Sequence, residues 1–475
     1  MSGRTYITTT LPYVNSDPHI GFALELVQAD IFARYRKLVG DEIFFNTGTD
    51  EHGLKIYQAA EKEGLSVQDY VNDYAGRFKT LPKILGILPE INFIRTTDEY
   101  HLKAAQEFWQ KCEGVGDIYK KNYKAKYCVG CELEKTDSEL VDGRCPIHPN
   151  LELEIIEEEN YFFRFSNYQQ KLLALYEKMP EFVVPGVRFN EIKAFVKNGL
   201  EDFSISRLKS KMPWGIEVPN DSDHVMYVWF DALVNYISAV GWPSDEKKFE
   251  QWWPVIQFAG KDNLRQQVAM WQAMLMSAGL PPSRQIMIHG FITSGGQKMS
   301  KSLGNVINPI ELVNEYGTDA VRYFLARHVN PFEDSDFTME RFKEAYNANL
   351  ANGLGNLVAR IMQLSQVNLS VATEKKYQYI FTPDYTEPLN KFEFSRTINY
   401  VFENISNLDQ KITKTEPFKL IKTNPKEGIE LILDLILDLY IIACQLEPFM
   451  PQTSATIKEA IKDNKKPDNL FPRKD

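Results

Sequence analysis

Thr5-Tyr6-Ile7-Thr8-Thr9-Thr10-Leu11, then Pro18-His19-Ile20-Gly21-Phe22, then the run Leu24–Leu38, decide the fold of this chain. The first block reads as a buried strand and the last as a helix. Asp41–Thr47 follows as a second strand, ending at Gly48-Thr49-Asp50-Glu51-His52-Gly53. Strand, turn, helix, strand opens a doubly wound α/β fold, whose ligands sit beyond the strand C-termini. His19 and Gly21 stand at the start of the helix, where free N–H groups and the helix dipole favour phosphate. Far downstream lies a second phosphate-suited element, Gly295-Gly296-Gln297-Lys298-Met299-Ser300-Lys301-Ser302-Leu303-Gly304-Asn305. It carries glycines at both ends, two lysines three apart, and hydroxyls between.

Outward from that opening, helical patterns run from Val67 to Gly86 and from Tyr100 to Glu113. Residues 115–190 change character, with short strands, clustered Cys and His, and the acidic run Glu157-Glu158-Glu159. The α/β pattern resumes with strands at Val225–Trp229, Val255–Ala259 and Gln285–His289, and a helix over Asn263–Gly279. From Arg341 the chain reads as helical, with a looser stretch near 367–390. The expected division is two halves of a Rossmann-like domain (1–114 and 191–290) and an inserted module (115–190). A loop-bearing region (291–340) and a helical bundle (341–475) complete it.

At 475 residues, with 44% hydrophobic and 25% charged residues, the composition is that of an ordinary multidomain soluble protein. No apolar run spans a bilayer, because Ile429–Cys444 is broken by Glu430, Asp434 and Asp438 at helical spacing. The N-terminus runs straight into a strand with no signal peptide, so the cytoplasm is expected. A net charge of −10 argues mildly against a polyanion partner, yet from Arg341 onward 18 Lys/Arg stand against 17 Asp/Glu. RNA at the C-terminal end is therefore not excluded.

Cys128-Val129-Gly130-Cys131 is followed after 13 residues by Cys145-Pro146-Ile147-His148. Two ligand pairs at that spacing read as a Cys₃His zinc site, and four protein ligands make such a zinc structural. Cys112 and Cys444 read as packing residues.

Taken together, these segments resemble the methionyl-tRNA synthetases, a family of class I aminoacyl-tRNA synthetases, over essentially the whole chain. Further matching blocks are Thr10–Asn15, Thr47–Gly53, Tyr227–Leu233, Gly260-Lys261-Asp262, Asn356–Arg360 and Leu470–Arg473. The resemblance implies activation of L-methionine by ATP to methionyl-adenylate, then transfer to the 3′ end of tRNA(Met), releasing pyrophosphate and AMP. It implies catalytic roles at the phosphates for His19, Lys298 and Lys301, with Mg²⁺ accompanying ATP. Gly21, Gly260, Asp262 and Ile292 match nucleotide-binding positions. Asp50 matches the ammonium-binding position, and Leu11, Tyr13, Trp229, Ala232 and Tyr236 the side-chain pocket. Asn356, Arg360 and Phe418 match anticodon readers, hydrogen-bonding and stacking on unstacked bases. The chain ends soon after the family's helical domain, so a monomer is expected.

Three positions depart from the family. Phe22 replaces the second histidine of the His-Ile-Gly-His signature. Gln267 stands where a histidine approaches the methionine sulfur and the pocket tyrosine. Phe418 replaces the usual Trp. The first two leave a catalytically silent RNA-binding relative as the alternative from another class. Synthetases for isoleucine, valine and leucine are disfavoured by the absence of a large editing insertion. A cysteinyl enzyme is disfavoured by the closed Cys₃His set and the aromatic pocket.

Overall fold

A computed structural model describes residues 3–131, 133–135, 137–299, 304–369 and 381–474. Strand β1 (Arg4–Thr8) leads to helix α1 (Ile20–Leu38) and β2 (Glu42–Thr49), which pairs parallel to β1. Strands β3 (Asn92–Arg95), β7 (Val183–Val184), β12 (Ile256–Gly260) and β13 (Gln285–His289) complete a six-stranded parallel sheet, ordered β3-β2-β1-β12-β13-β7. All five residues of β12 are buried, as expected of a strand covered on both faces. The order reverses between β1 and β12. That is the switch point of a doubly wound sheet, and the crevice beyond it is where ligands bind.

Inserted between β3 and β7 is an antiparallel ribbon, β4 (Ile118–Cys128) against β6 (Glu154–Phe163), with β5 (Leu133–Lys135) on its edge. Strand β8 (Phe203–Ser204) extends this ribbon on the other side. Thus β7, before residue 190, joins the main sheet, and β8, after it, joins the ribbon. Strands β9 (Ser206–Leu208), β10 (Glu217–Val218) and β11 (Asp221–Met226) form a small antiparallel sheet ordered β10-β11-β9. A third small sheet joins β14 (Ile292–Ser294) to β15 (Gln297–Lys298) and to β16 (Ser335–Phe337).

Three expectations about elements change. The looser stretch expected near 367–390 holds a helix over Pro383–Asn390, and residues 370–380 of it lie outside the described residues. The strand expected over Val225–Trp229 ends at Met226, and a short helix, Val228–Leu233, follows. The Phe230 and Asp231 N–H groups both donate to the Tyr227 carbonyl, so the chain turns helical at once. The apolar run hides the change, because every residue but Trp229 in that helix is buried and no period shows. The helix expected over Asn263–Gly279 is instead a 3₁₀ turn (Lys261–Asn263), a π turn (Gln266–Met270) and an α segment (Trp271–Ser277). Such π turns widen a helix and recur at functional sites.

From Met339 the described chain is helical, its longest members being Phe394–Thr415 and Pro425–Leu446. These helices share one core with the back of the main sheet: Phe392 packs on Phe32 of α1 at 4.7 Å and edge-on to Phe258 of β12. Buried Arg322 ties the two together, donating to the carbonyls of Leu85, Pro448 and Phe449 and pairing with Asp30 of α1 at 2.7 Å. Among the described residues no helix is long and apolar enough to cross a membrane.

Candidate active site

The C-terminal ends of β1, β2, β12 and β13 open into one cavity of about 500 Å³. Each contributes through the residues that follow it. Leu11 and Tyr13 come after β1, and Asp50 after β2. Gly260 and Asp262 come from the end of β12, and Ile292 follows β13. Trp229, Ala232 and Tyr236 enter from the helix Val228–Leu233 and just beyond, and Gln267 from the π turn. His19, Gly21 and Phe22 line it from the start of α1. The positions matched to nucleotide and amino-acid binding thus face one space, although they are up to 281 residues apart in sequence (Leu11 to Ile292).

His19 is the N-cap of α1, and its Nδ1 accepts the Gly21 N–H at 3.1 Å. In the neutral ring the hydrogen therefore sits on Nε2, which makes that nitrogen the donor. Gly21 is required by this arrangement, because a Cβ there would come within 2.8 Å of the His19 ring. The expected free N–H groups are partly engaged already: Gly21 bonds His19, and the Ile20 N–H donates to the Ile307 carbonyl. Phe22 packs on His19 at 4.8 Å and edge-on to Phe78, filling the place of a second imidazole with apolar contact.

The lysine loop reaches the same cavity. Thr293 of β14 and Met299 line it, and Lys298 of β15 pairs with Thr293 in the sheet register. The Asp336 carboxylate accepts from the Thr293 hydroxyl and the Gly296 N–H at 2.9 and 2.8 Å, pinning the loop's root. The Gly296 N–H holds that carboxyl below its usual range. For Lys298 only the backbone is described; Lys301 lies outside the described residues.

Asp50 is braced on both sides. The Asp50 N–H donates to the Pro12 carbonyl at 2.9 Å, and the Val14 N–H donates back to Asp50 at 3.3 Å. Next to it, buried Glu51 accepts two hydrogen bonds from Arg95 at 2.7 Å and others from Thr49 and Thr97. His52 faces the buried Asp231 carboxylate at 3.1 Å. Burial would raise the Asp231 carboxyl, but His52 and His101 beside it bring it below its usual range. Asp50, at 4% exposure, is therefore a carboxylate held out of water on a rigid frame beside an aromatic wall.

Several residues of the site carried no motif. Glu25, one turn and a half into α1, accepts from the Thr10 N–H and hydroxyl at 2.6 and 2.7 Å, and from His289 Nε2 at 2.7 Å. His289 Nδ1 meets the Gly290 carbonyl at 2.8 Å, so both ring nitrogens face acceptors. Burial alone would lower the His289 pKa, but Glu25 outweighs it and raises it. Glu25 lies in a helix most of whose side chains are buried, polar ones included, so neither motif nor period marks it out.

The four residues expected to bind metal are brought together. Cys128 Sγ, Cys131 Sγ, Cys145 Sγ and His148 Nδ1 all lie within 4.8 Å of one another, with Cys131 and Cys145 sulfurs 3.4 Å apart. A tetrahedral zinc with Zn–S bonds of about 2.3 Å separates its sulfurs by about 3.8 Å, so the donor set fits. Gly130 is required here too, since a Cβ would come within 2.6 Å of the His148 ring. Gly130 and Cys131 also line the cavity, so the knuckle forms part of its wall.

The matched anticodon residues sit apart from all this. Asn356, Arg360 and Phe418 border an open hollow of about 580 Å³ on the helical region. Arg360 is paired there with Asp409, and the Phe418 ring is 48% exposed.

The family model described as tRNA synthetases class I (M) matches residues 5–152 and 150–362. A methionine–tRNA ligase of Thermotoga maritima is 40% identical over 98% of this chain and 76% of its own. One from Rickettsia bellii is 39% identical over 97% of this chain and 93% of its own. The Mycobacterium tuberculosis methionyl-tRNA synthetase solved in complex with methionyl-adenylate superposes with a TM-score of 0.91 at 33% identity, covering 99% of this chain and 100% of that one. Its free form superposes with a TM-score of 0.83 at 29% identity, covering 100% and 99%.

Proposed function

This chain belongs to the methionyl-tRNA synthetase family of class I, and on that premise we propose that it activates methionine with ATP and charges tRNA(Met). One observation carries the reading: the ends of β1, β2, β12 and β13, the start of α1 and the root of the lysine loop all line one cavity.

The chemistry follows from the placement. Asp50 binds the methionine ammonium, and the aromatic wall of Tyr13, Trp229 and Tyr236 takes the thioether, a soft group that contacts ring edges favourably. The methionine carboxylate is then left to face the nucleotide side, where His19, Gly260 and Asp262 lie. One carboxylate oxygen attacks the α-phosphorus of ATP, the bond to the bridging oxygen breaks, and pyrophosphate leaves. No enzyme nucleophile is needed. Acceleration comes from holding the reactants in line and from donors aimed at the charge that develops. His19 Nε2 serves as one such donor, and Lys298 and Lys301 neutralise the departing pyrophosphate, a charge that Mg²⁺ accompanying ATP would share. A ribose hydroxyl of the terminal adenosine of tRNA then attacks the methionyl carbonyl, and AMP leaves.

Cys128, Cys131, Cys145 and His148 would hold a zinc that supplies structural closure. Asn356, Arg360 and Phe418 read the anticodon, and the enzyme works as a cytoplasmic monomer. Amino-acid-dependent ATP–pyrophosphate exchange over a panel of amino acids tests the activity. Exchange with methionine and not with leucine, isoleucine, valine or cysteine is expected; exchange with another of these, or with none, overturns the proposal.

A further inference from the structure

Beneath the aromatic wall lies a chain of buried amides whose direction can be worked out from the backbone. Gln257, Gln267, Gln272, Ser283 and Tyr236 are each no more than 2% exposed. Gln272 is the starting point, because its two ends meet backbone groups of fixed character. Its Oε1 accepts the Ser283 N–H at 3.0 Å, and its Nε2 donates to the Gln267 carbonyl at 2.9 Å. That Nε2 also donates to Ser283 Oγ at 3.1 Å, so the hydroxyl must send its own hydrogen elsewhere.

The acceptor is Gln257 Oε1, 2.6 Å away. Gln257 Nε2 is thereby turned toward Gln267 and donates to its Oε1 at 2.8 Å. Gln267 Nε2 in turn donates to the Tyr236 hydroxyl at 2.8 Å. Turning either amide over would set two acceptors or two donors against each other, or leave the Ser283 hydrogen buried without an acceptor, which native interiors avoid. With its oxygen accepting from Gln267, Tyr236 has its own hydrogen to give, and it lines the cavity. Burial raises its pKa, so the phenol stays protonated at every physiological pH.

We propose that Gln257, Gln272 and Ser283 are positioning residues that set the sense of the Gln267 amide and so present Tyr236 to the amino-acid side chain as a hydrogen-bond donor. The consequence is specificity. A thioether sulfur accepts a hydrogen bond, weakly, and a methylene in its place accepts none. A pocket whose buried hydroxyl must donate favours methionine over norleucine, the isostere with CH₂ for sulfur. Reversing the relay turns the same hydroxyl into an acceptor and removes that preference. This rests on the methionine reading above and adds to it residues that themselves stand behind the pocket wall.

The test is the ratio of kcat/KM for methionine to that for norleucine in pyrophosphate exchange, measured on the full chain. Gln257→Met and Ser283→Ala each break the relay without touching the cavity surface. Each is expected to lower the ratio about three- to tenfold, the worth of one modest hydrogen bond, while KM for ATP stays unchanged. Tyr236→Phe lowers the ratio by the same factor, and adding Gln257→Met to it lowers the ratio no further. Should Gln257→Met fail to fold, the milder Ser283→Ala decides. An unchanged ratio, or an equal loss toward both amino acids, overturns the relay while leaving methionine activation standing. A wild-type enzyme that prefers neither amino acid overturns the substrate reading and the relay together.

Discussion

The cavity at the sheet edge and the hollow on the helical region solve opposite problems. In the first, the polar groups are buried and cross-braced: Asp50 is 4% exposed, and its neighbour Glu51 is fully buried against Arg95. In the second, Arg360 and its partner Asp409 keep 44% and 50% of their side chains in water, and Phe418 lies nearly half open. A small amino acid offers few contacts, so discrimination requires donors and acceptors fixed beforehand at low dielectric. On the proposed reading the hollow takes a single-stranded loop, which brings its own large surfaces and whose unstacked bases need a ring and a guanidinium within reach of solvent. The difference teaches that the two sites should fail differently.

The largest effect is expected on the cavity side. Asp50→Ala removes one member of a buried charge pair, which typically costs about 2–5 kcal/mol. Methionine-dependent exchange should drop on the order of 10²- to 10³-fold, with charging dropping in step. Retained exchange would show that the ammonium is held elsewhere.

Next comes the knuckle, which the comparison assigns to the cavity because Gly130 and Cys131 line it. Chelation, or Cys145→Ser, should release one zinc per chain and expose residues 128–148 to protease. Exchange should fall roughly tenfold or more, since a disturbance of 1.4 kcal/mol suffices. Loss of zinc with full exchange would separate the knuckle from the site.

Arg360→Ala probes the other side. Losing a charged hydrogen bond of about 1.5–3 kcal/mol should lower kcat/KM for tRNA about 10- to 100-fold, leaving exchange within about twofold of wild type. Equal loss of both activities would erase the contrast.

The smallest effect is in pH dependence. His289 in the folded chain has a pKa raised above its ordinary 6.5, because the Glu25 carboxylate outweighs the opposing effect of burial. A raised pKa means that the imidazolium stabilises the fold fully below the unfolded value, and that this contribution fades as pH rises through the folded one. His289→Gln should therefore lower the melting temperature more at pH 6 than well above the raised pKa. A difference that grew with pH would contradict the pairing.

Much of this architecture could be read from local pattern. The β1–α1–β2 opening, the place of His19 at a helix start and the Cys₃His spacing are each decided within one contiguous stretch of chain. The helix at Val228–Leu233 escaped because a uniformly buried run shows neither the helical nor the strand period. The π turn that directs Gln267 inward lies inside a stretch read as one helix, because one widened turn leaves no mark in the residue pattern. Gln267 is marked by its place after Gly260-Lys261-Asp262, but Glu25 with His289, and Gln257 and Ser283 behind Gln267, carry no motif at all. Their partners meet only because parallel strands bring distant residues side by side, β1 beside β12 and β12 beside β13. What spacing within one segment determines was legible; what the sheet order determines was not.

The central claim is that one cavity receives methionine and ATP together. Its most direct measurement is the amount of methionyl-adenylate retained on the enzyme after mixing with labelled methionine, ATP and pyrophosphatase, without tRNA. About one equivalent per chain, absent from Asp50→Ala and undiminished in Arg360→Ala, is the predicted result. No bound adenylate on the wild-type chain, or an amount that depends on Arg360, would contradict the account.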